Sequence, residues 1–194
     1  MTTAMQVEKV PDQFGMAIYT FSMNLDTIST LTTDLAHAQS DAAAIDLMPV
    51  PYQNFNDDQF TNYNLAMTNA NAAIPNPGDG NSSSSRQKVL FFVSDGVADY
   101  AGAGGRTIEP INVDLCTAIK NRGIQIAVLY TTYLPLPTNQ FYLDNVAPWH
   151  EQIGPTMESC ASPGLYFEVS PSQGISEAMQ ALFLRVVRQA HLIQ

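Results

Sequence analysis

Apolar positions along the chain follow two periods. Residues 15–22 (GMAIYTFS), 88–94 (KVLFFVS) and 124–130 (IQIAVLY) are apolar on both faces over a strand's length. Such runs predict strands buried in a parallel sheet. Residues 165–169 form a shorter run of the same kind. Residues 26–33 alternate Ile and Leu with Thr and Ser, which predicts a half-exposed edge strand, paired with 15–22 as a hairpin through 23–25. Between these runs the period lengthens. Residues 1–10 read as the tail of a helix stopped by Pro11, 35–47 as an Ala-rich helix ended by Pro49 and Pro51, and 60–74 as a helix stopped by Pro75 and Pro77.

The best-punctuated helix covers 112–122. Asn112 is its N-cap, Asp114 lies in its first turn, Lys120 and Arg122 lie in its last, and Gly123 stops it. It joins two buried-type strands, so 88–94 and 124–130 are expected side by side and parallel through a right-handed crossover. At the end of the chain Ile175, Met179, Leu182, Phe183, Val186, Val187 and Ala190 make one apolar stripe, shaped to pack on a sheet. Strands alternating with helices predict an α/β sheet with helices on both faces. The expected organisation is one domain over 1–194, without internal repeats. Loop insertions are expected near 76–87 (with the run GDGNSSSS), 97–111 (Gly-rich and irregular) and 131–163, which holds five prolines.

Charge narrows the partners. Eight Lys and Arg stand against 18 Asp and Glu, a net charge of −10. Nucleic acid and anionic membrane surfaces both need basic patches, so neither is an expected partner. No apolar run approaches the roughly 18–20 residues of a membrane span, and residues 1–13 contain no hydrophobic signal region. The cysteines, Cys116 and Cys160, lie too far apart for a short metal clip. On their own they read as a disulfide or as two buried thiols.

Ligands of such sheets bind beyond the carboxyl ends of the strands, and Asp95 sits there, directly after 88–94. It reads as a hard-cation ligand or, since Asp-Gly is a common turn pair, as a turn residue. The stretch 102–105 (GAGG) resembles a phosphate loop, but it does not directly follow a strand and lacks the Lys-Ser/Thr ending. It is expected to be a mobile loop. His37, His150 and His191 have no ligand spacing, and Ser94 lies in no G-x-S-x-G elbow, so an enzyme is not expected. The aromatic-rich stretch 133–149 is expected to pack on its own domain, with a docking surface as the alternative.

Several segments, in order, resemble a von Willebrand factor A domain, and more narrowly the C-terminal part of TadG-like proteins of bacterial Flp/Tad pilus assembly. Residues 15–22 resemble the family's second strand, and 61–67 (TNYNLAM) its Thr-led helix opening. Residues 88–96 (KVLFFVSDG) resemble its strand followed by Ser/Thr-Asp-Gly. Leu115-Cys116, Ile119-Lys120 and Gly123-Ile124 resemble its Leu-Cys, Ile-Lys and Gly-Ile pairs. Residues 160–163 (CASP) with Tyr166-Phe167, and the terminal helix from Ala181 onward, complete the likeness.

That resemblance implies a metal-ion-dependent adhesion site in which Thr61 supplies the middle-loop Thr and Asp95 the fourth-strand Asp. The family's Asp-x-Ser-x-Ser element has no counterpart before Gly15. The resemblance therefore implies an N-terminally truncated version of the fold, without the first strand or a membrane anchor. In the family that strand lies between the counterparts of 15–22 and 88–94, which must then pair directly or accept a strand from elsewhere. The implied metal site is incomplete, holding Mg or Ca only if the missing element is supplied. The implied function is a non-enzymatic protein-binding and assembly module of a Flp/Tad pilus system on the periplasmic or extracellular side of the envelope, with pilus assembly or envelope proteins as partners. A metal-dependent adhesion domain is one alternative; a small enzyme acting on a phosphorylated substrate through Asp95 and 102–105 is another. Both cysteines fall in matched segments, so the resemblance implies a Cys116–Cys160 disulfide.

Overall fold

The computed structural model describes residues 1–46, 52, 60–102, 104–170 and 174–192. A short helix α1 (Thr2–Val7) precedes a hairpin of β1 (Met16–Phe21) and β2 (Leu25–Thr32). Helices α2 (Leu35–Ala43) and α3 (Tyr63–Ala73) lead to β3 (Val89–Ser94). A second hairpin, β4 (Val97–Gly102) with β5 (Gly105–Pro110), follows at once. Then come α4 (Val113–Asn121), β6 (Gln125–Thr131), α5 (Gln140–Asn145), a 3-10 turn (Ala147–Gln152), α6 (Ile153–Cys160), β7 (Tyr166–Val169) and α7 (Ile175–Leu192).

The centre is a parallel sheet in the order β3-β6-β7. β3 and β6 pair from Val89↔Gln125 to Ser94↔Tyr130, as the crossover argument predicts. The middle strand is the best buried: Ile126 to Leu129 are fully covered. Two apolar clusters sandwich the sheet. One face carries Phe92, Ile126, Val128 and Tyr130 against Tyr63 and Met67 of α3, Cys116 and Ile119 of α4, and Ile153, Met157 and Cys160 of α6. The other carries Ala127, Leu129 and Val169 against Leu182 and Val186 of α7. The alternation of side chains along each strand sends consecutive residues to opposite clusters.

Helix starts obey local chemistry. Asp34, Asn62, Asn112 and Asn139 each accept a backbone N–H of the first turn on a side-chain oxygen, at 2.9–3.0 Å. The end of the helix expected over 35–47, with Pro49 and Pro51, lies outside the described residues; the observed α2 ends at Ala43.

The structure departs from the sequence expectations in three places. Residues 15–22 form the expected hairpin, β1 pairing antiparallel with β2 with an irregular register between Met16 and Tyr19, but they do not enter the parallel sheet, and all six residues of β1 are half-buried. Its neighbour is a hairpin partner reached by a three-residue link, and sequence proximity wins. Residues 97–110 are a hairpin rather than an irregular loop. Small and polar residues disguise its strands, but Arg106 forks onto the Asp99 carboxylate across it, at 2.7 Å from Nε. Residues 131–163 are largely helical. Two of the five prolines open helices instead of breaking them: Pro148 sits in the first turn of the 3-10 segment and Pro155 in that of α6, where an N–H has no intrahelical partner to lose.

Candidate functional site at the carboxyl end of the sheet

Asp95 follows β3 where the chain must turn sharply. Gly96 adopts φ +80°, and a Cβ there would lie 2.4 Å from Ile153 Cγ2, so the Asp-Gly pair is a turn built against α6. Asp95 is therefore a turn residue, and it stands partly exposed at the strand end. Its Oδ1 accepts the Val97 N–H at 3.2 Å and the Tyr63 hydroxyl at 3.4 Å. The desolvating surroundings raise its carboxyl above the ordinary range, and the bonds from Val97 and Tyr63 oppose that in part. Tyr63 is buried in the first turn of α3 and also shares a hydrogen bond with Ser94 Oγ. Burial first, and then the Asp95 charge, push its phenol far above the usual range.

Thr61 reaches the same end of the sheet. Its backbone bridges Asp99 in both directions, four residues past Asp95, but it shares no hydrogen bond with Asp95. The oxygen donors gathered here are the Asp95 carboxylate and the hydroxyls of Ser94 and Tyr63. A hard cation takes about six or more oxygens, largely carboxylates, carbonyls and water. Among the described residues no group of three or more His, Cys, Asp or Glu could hold a metal. With one carboxylate, already engaged by Tyr63, these residues do not by themselves fit Mg or Ca.

Beside Asp95 opens a cleft of about 480 Å³, lined by Thr131, Thr132 and Tyr133 at the end of β6, by Leu134 and Leu136, and by Ile175 at the start of α7. Leu134, Leu136 and Ile175 are 45–55% exposed. Phe141 and Leu143 on α5 are also exposed, with the Arg106 guanidinium 4.6 Å over the Phe141 ring. The 133–149 stretch is thus divided. Tyr133 and Tyr142 stack and close on His150 inside, while Phe141 and Leu143 face out.

The cysteines are bonded. Cys116 and Cys160 form a disulfide with Cα atoms 5.1 Å apart, fully buried between α4 and α6. Cys160 is the last residue of a helix rather than part of a loop. Lys120, one turn after Cys116, donates from Nζ to the carbonyls of Ser159 and Ala161 at 2.8 and 3.3 Å, so the same two helix faces are joined twice. Gly102 pairs with Gly105 at the end of the β4–β5 hairpin, so the described residues of 102–105 lie in a strand-to-strand turn rather than a strand-to-helix phosphate loop. Tyr63, the residue that ties α3 to the end of β3, was not singled out by sequence reasoning, because a tyrosine in a first helical turn has no distinctive pattern.

No family model and no curated protein matches the chain. Two solved structures share its architecture at low identity. One is described as the conserved hypothetical protein BatB from Bacteroides thetaiotaomicron: TM-score 0.51, 14% identity, covering 91% of this chain and 82% of that one. The other is an aerotolerance-related membrane protein from Bacteroides fragilis NCTC 9343 with multiple mutations to serines: TM-score 0.56, 13% identity, covering 97% of this chain and 84% of that one. The fold is von Willebrand factor A-like. In this A-like fold Asp95 follows the end of β3, and Thr61 bridges Asp99 in the hairpin after it. The likeness to these structures extends to fold and not to a pilus-specific role.

Proposed function

We propose that the chain is a non-enzymatic protein-docking module of the bacterial cell envelope that serves the assembly of a Flp/Tad-type pilus, and that it engages its partner through the carboxyl end of the sheet. The observation that carries this reading is the cleft at Asp95: one acidic group flanked by exposed Leu134, Leu136 and Ile175. Large apolar side chains grouped on a surface around a few polar groups suit a protein partner. The buried disulfide suits an oxidising compartment. The hairpin at 97–110 argues against the phosphorylated-substrate reading, since its tip offers no strand-to-helix cradle of amides.

The test is direct binding of purified pilins and TadE-like envelope proteins to the immobilised chain. A Leu134→Glu/Leu136→Glu variant should lose at least tenfold in affinity while keeping its thermal transition; unchanged affinity sinks the reading. The adhesion alternative is favoured by one observation, the arrival of Thr61 and Asp95 at the same sheet end. Calorimetry with Mg²⁺, Mn²⁺ and Ca²⁺ should give weak or no heat on the isolated chain. A micromolar isotherm abolished by Asp95→Ala would replace the docking reading with the metal-dependent one.

A further inference from the structure

Of the chain's asparagines, only Asn81 is followed two places on by Ser or Thr without an intervening proline: Asn81-Ser82-Ser83. That spacing is the acceptor pattern for N-linked glycans in chains that mature outside the cytoplasm. Three-residue patterns recur by chance; the surroundings set this one apart.

The triplet lies in the loop between α3 and β3, and the loop is tied rather than slack. The Gly78 N–H donates to the Arg86 carbonyl at 2.8 Å, and the Gly80 N–H to the Ser85 carbonyl at 2.6 Å. A Cβ on Gly78 would lie 2.3 Å from the Ser85 backbone, so the close approach of the two sides requires glycine there. The Ser85 N–H returns to the Ser82 carbonyl at 3.0 Å, and Asp79 Oδ1 accepts the Asn81 N–H at 3.0 Å. Residues 81–84 are left as the exposed tip.

The serines of the tip divide the work. The Ser82 and Ser84 hydroxyls bond each other at 3.0 Å, and Ser85 Oγ accepts the Asp79 N–H at 3.1 Å. Among the described residues none takes the hydroxyl of Ser83, the serine that completes the triplet. The Asn81 N–H, the Ser85 hydroxyl and the Asn81 side-chain amide hold the Asp79 carboxyl below its ordinary range. Asn81 and Asp79 are both exposed, so the Asn81 amide exchanges its bond to Asp79 for one to an enzyme at little cost. The buried Cys116–Cys160 bond suits the oxidising compartments in which such transfer takes place. The loop leads into β3 at Val89, and β3 runs roughly 20 Å from there to the Asp95 end. A glycan on Asn81 therefore stands away from the cleft.

We propose that Asn81 is an N-glycan acceptor. The co-reactant is an oligosaccharide joined through its anomeric carbon to a lipid diphosphate. Asn81 Nδ2 forms a bond to that carbon, and the bond from the carbon to the diphosphate oxygen breaks. The lipid diphosphate leaves with the electron pair, one amide proton passes to a base of the transferase, and nothing is oxidised or reduced. The Ser83 hydroxyl, two residues on, is the group by which the transferase holds the acceptor in register. This site lies at the opposite end of the sheet from the docking cleft, and either can fail alone.

The test incubates the full, disulfide-bonded chain with an N-oligosaccharyltransferase and an undecaprenyl-diphosphate-linked oligosaccharide, and follows the intact mass. One glycan mass should appear, and peptide mapping should place it on Asn81. Asn81→Gln and Ser83→Ala should each lower the yield at least tenfold, while Ser83→Thr keeps it. All three variants should melt with the parent chain, because the tip is exposed. No mass gain on the folded chain, with the enzyme active on a control acceptor peptide, overturns the proposal. So does equal transfer to Ser83→Ala, or a gain that survives Asn81→Gln, which assigns the sugar to another side chain. A gain that appears only after reduction and unfolding overturns it as well.

Discussion

β3 and β6 are near twins in composition, and they lie side by side, yet they live in different environments. β6 pairs on both edges and is covered on both faces; β3 pairs on one edge and leaves Val93 in solvent. The same contrast separates the halves of the molecule. The half built on β6 is closed by α4, α6, α7 and a disulfide. The half built on the β1–β2 hairpin is held to the first mainly through Phe14, Phe21 and the Arg86–Asp12 and Asn62–Ser22 bonds. Apolar sequence establishes that a strand is meant for a core; whether it reaches one depends on its neighbours.

The largest expected effect lies in the closed half. Replacing Cys116 and Cys160 together by alanine should cost roughly 4 kcal/mol in the chain-entropy view for a separation of 44 residues. Calorimetry should show the melting point falling by about 10 °C, with amide exchange in β1 and β2 unchanged. Equal loosening of the hairpin would erase the distinction between the halves. Next, Gly96→Ala should cost about 3 kcal/mol, because the residue combines positive φ with a collision on Ile153; denaturant titration measures it. Phe21→Ala should cost about 2 kcal/mol, less than a fully buried ring, and should act locally. Its signature is proteolytic cutting within 15–32 while β6 stays protected.

The smallest effect is at Asp95. Its folded-state carboxyl titrates above the unfolded one, so it favours folding while protonated, and that contribution is lost as pH rises through its folded range. Asp95→Asn should therefore raise the melting point slightly at pH 7. The advantage should vanish below the ordinary Asp range, near pH 4. A variant less stable at pH 7 would show that the carboxylate holds its turn together.

Much of the closed half was legible. β3, β6, the Asn112-capped helix and the stripe of α7 follow from period and punctuation, because each has a long, one-sided pattern. The Cys116–Cys160 bond was open on spacing alone and followed only from the family likeness. The β4–β5 hairpin stayed hidden because Ala98, Ala101 and Gly102 carry no strand signal; cross-strand pairs such as Arg106 with Asp99 hold it, and those are non-local. The helices of 131–163 were masked by prolines whose meaning depends on position within a turn. At the site, Asp95 was visible from its place after a strand. The Tyr63 bonds to Ser94 and Asp95, and the apolar rim from Leu134 to Ile175, arise only when distant segments fold together.

The covalent link between α4 and α6 also has a mechanical meaning. A load pulling on the two ends of the chain can straighten only what lies outside that loop. Between the linked residues lie β6, α5 and most of α6, a separation of 44 residues. Fully drawn out, such a segment would add roughly 150 Å of contour length. With the bond intact that length is withheld, and extension can come only from the segments outside the loop. The bond thus caps how far the chain can extend, and reduction removes the cap.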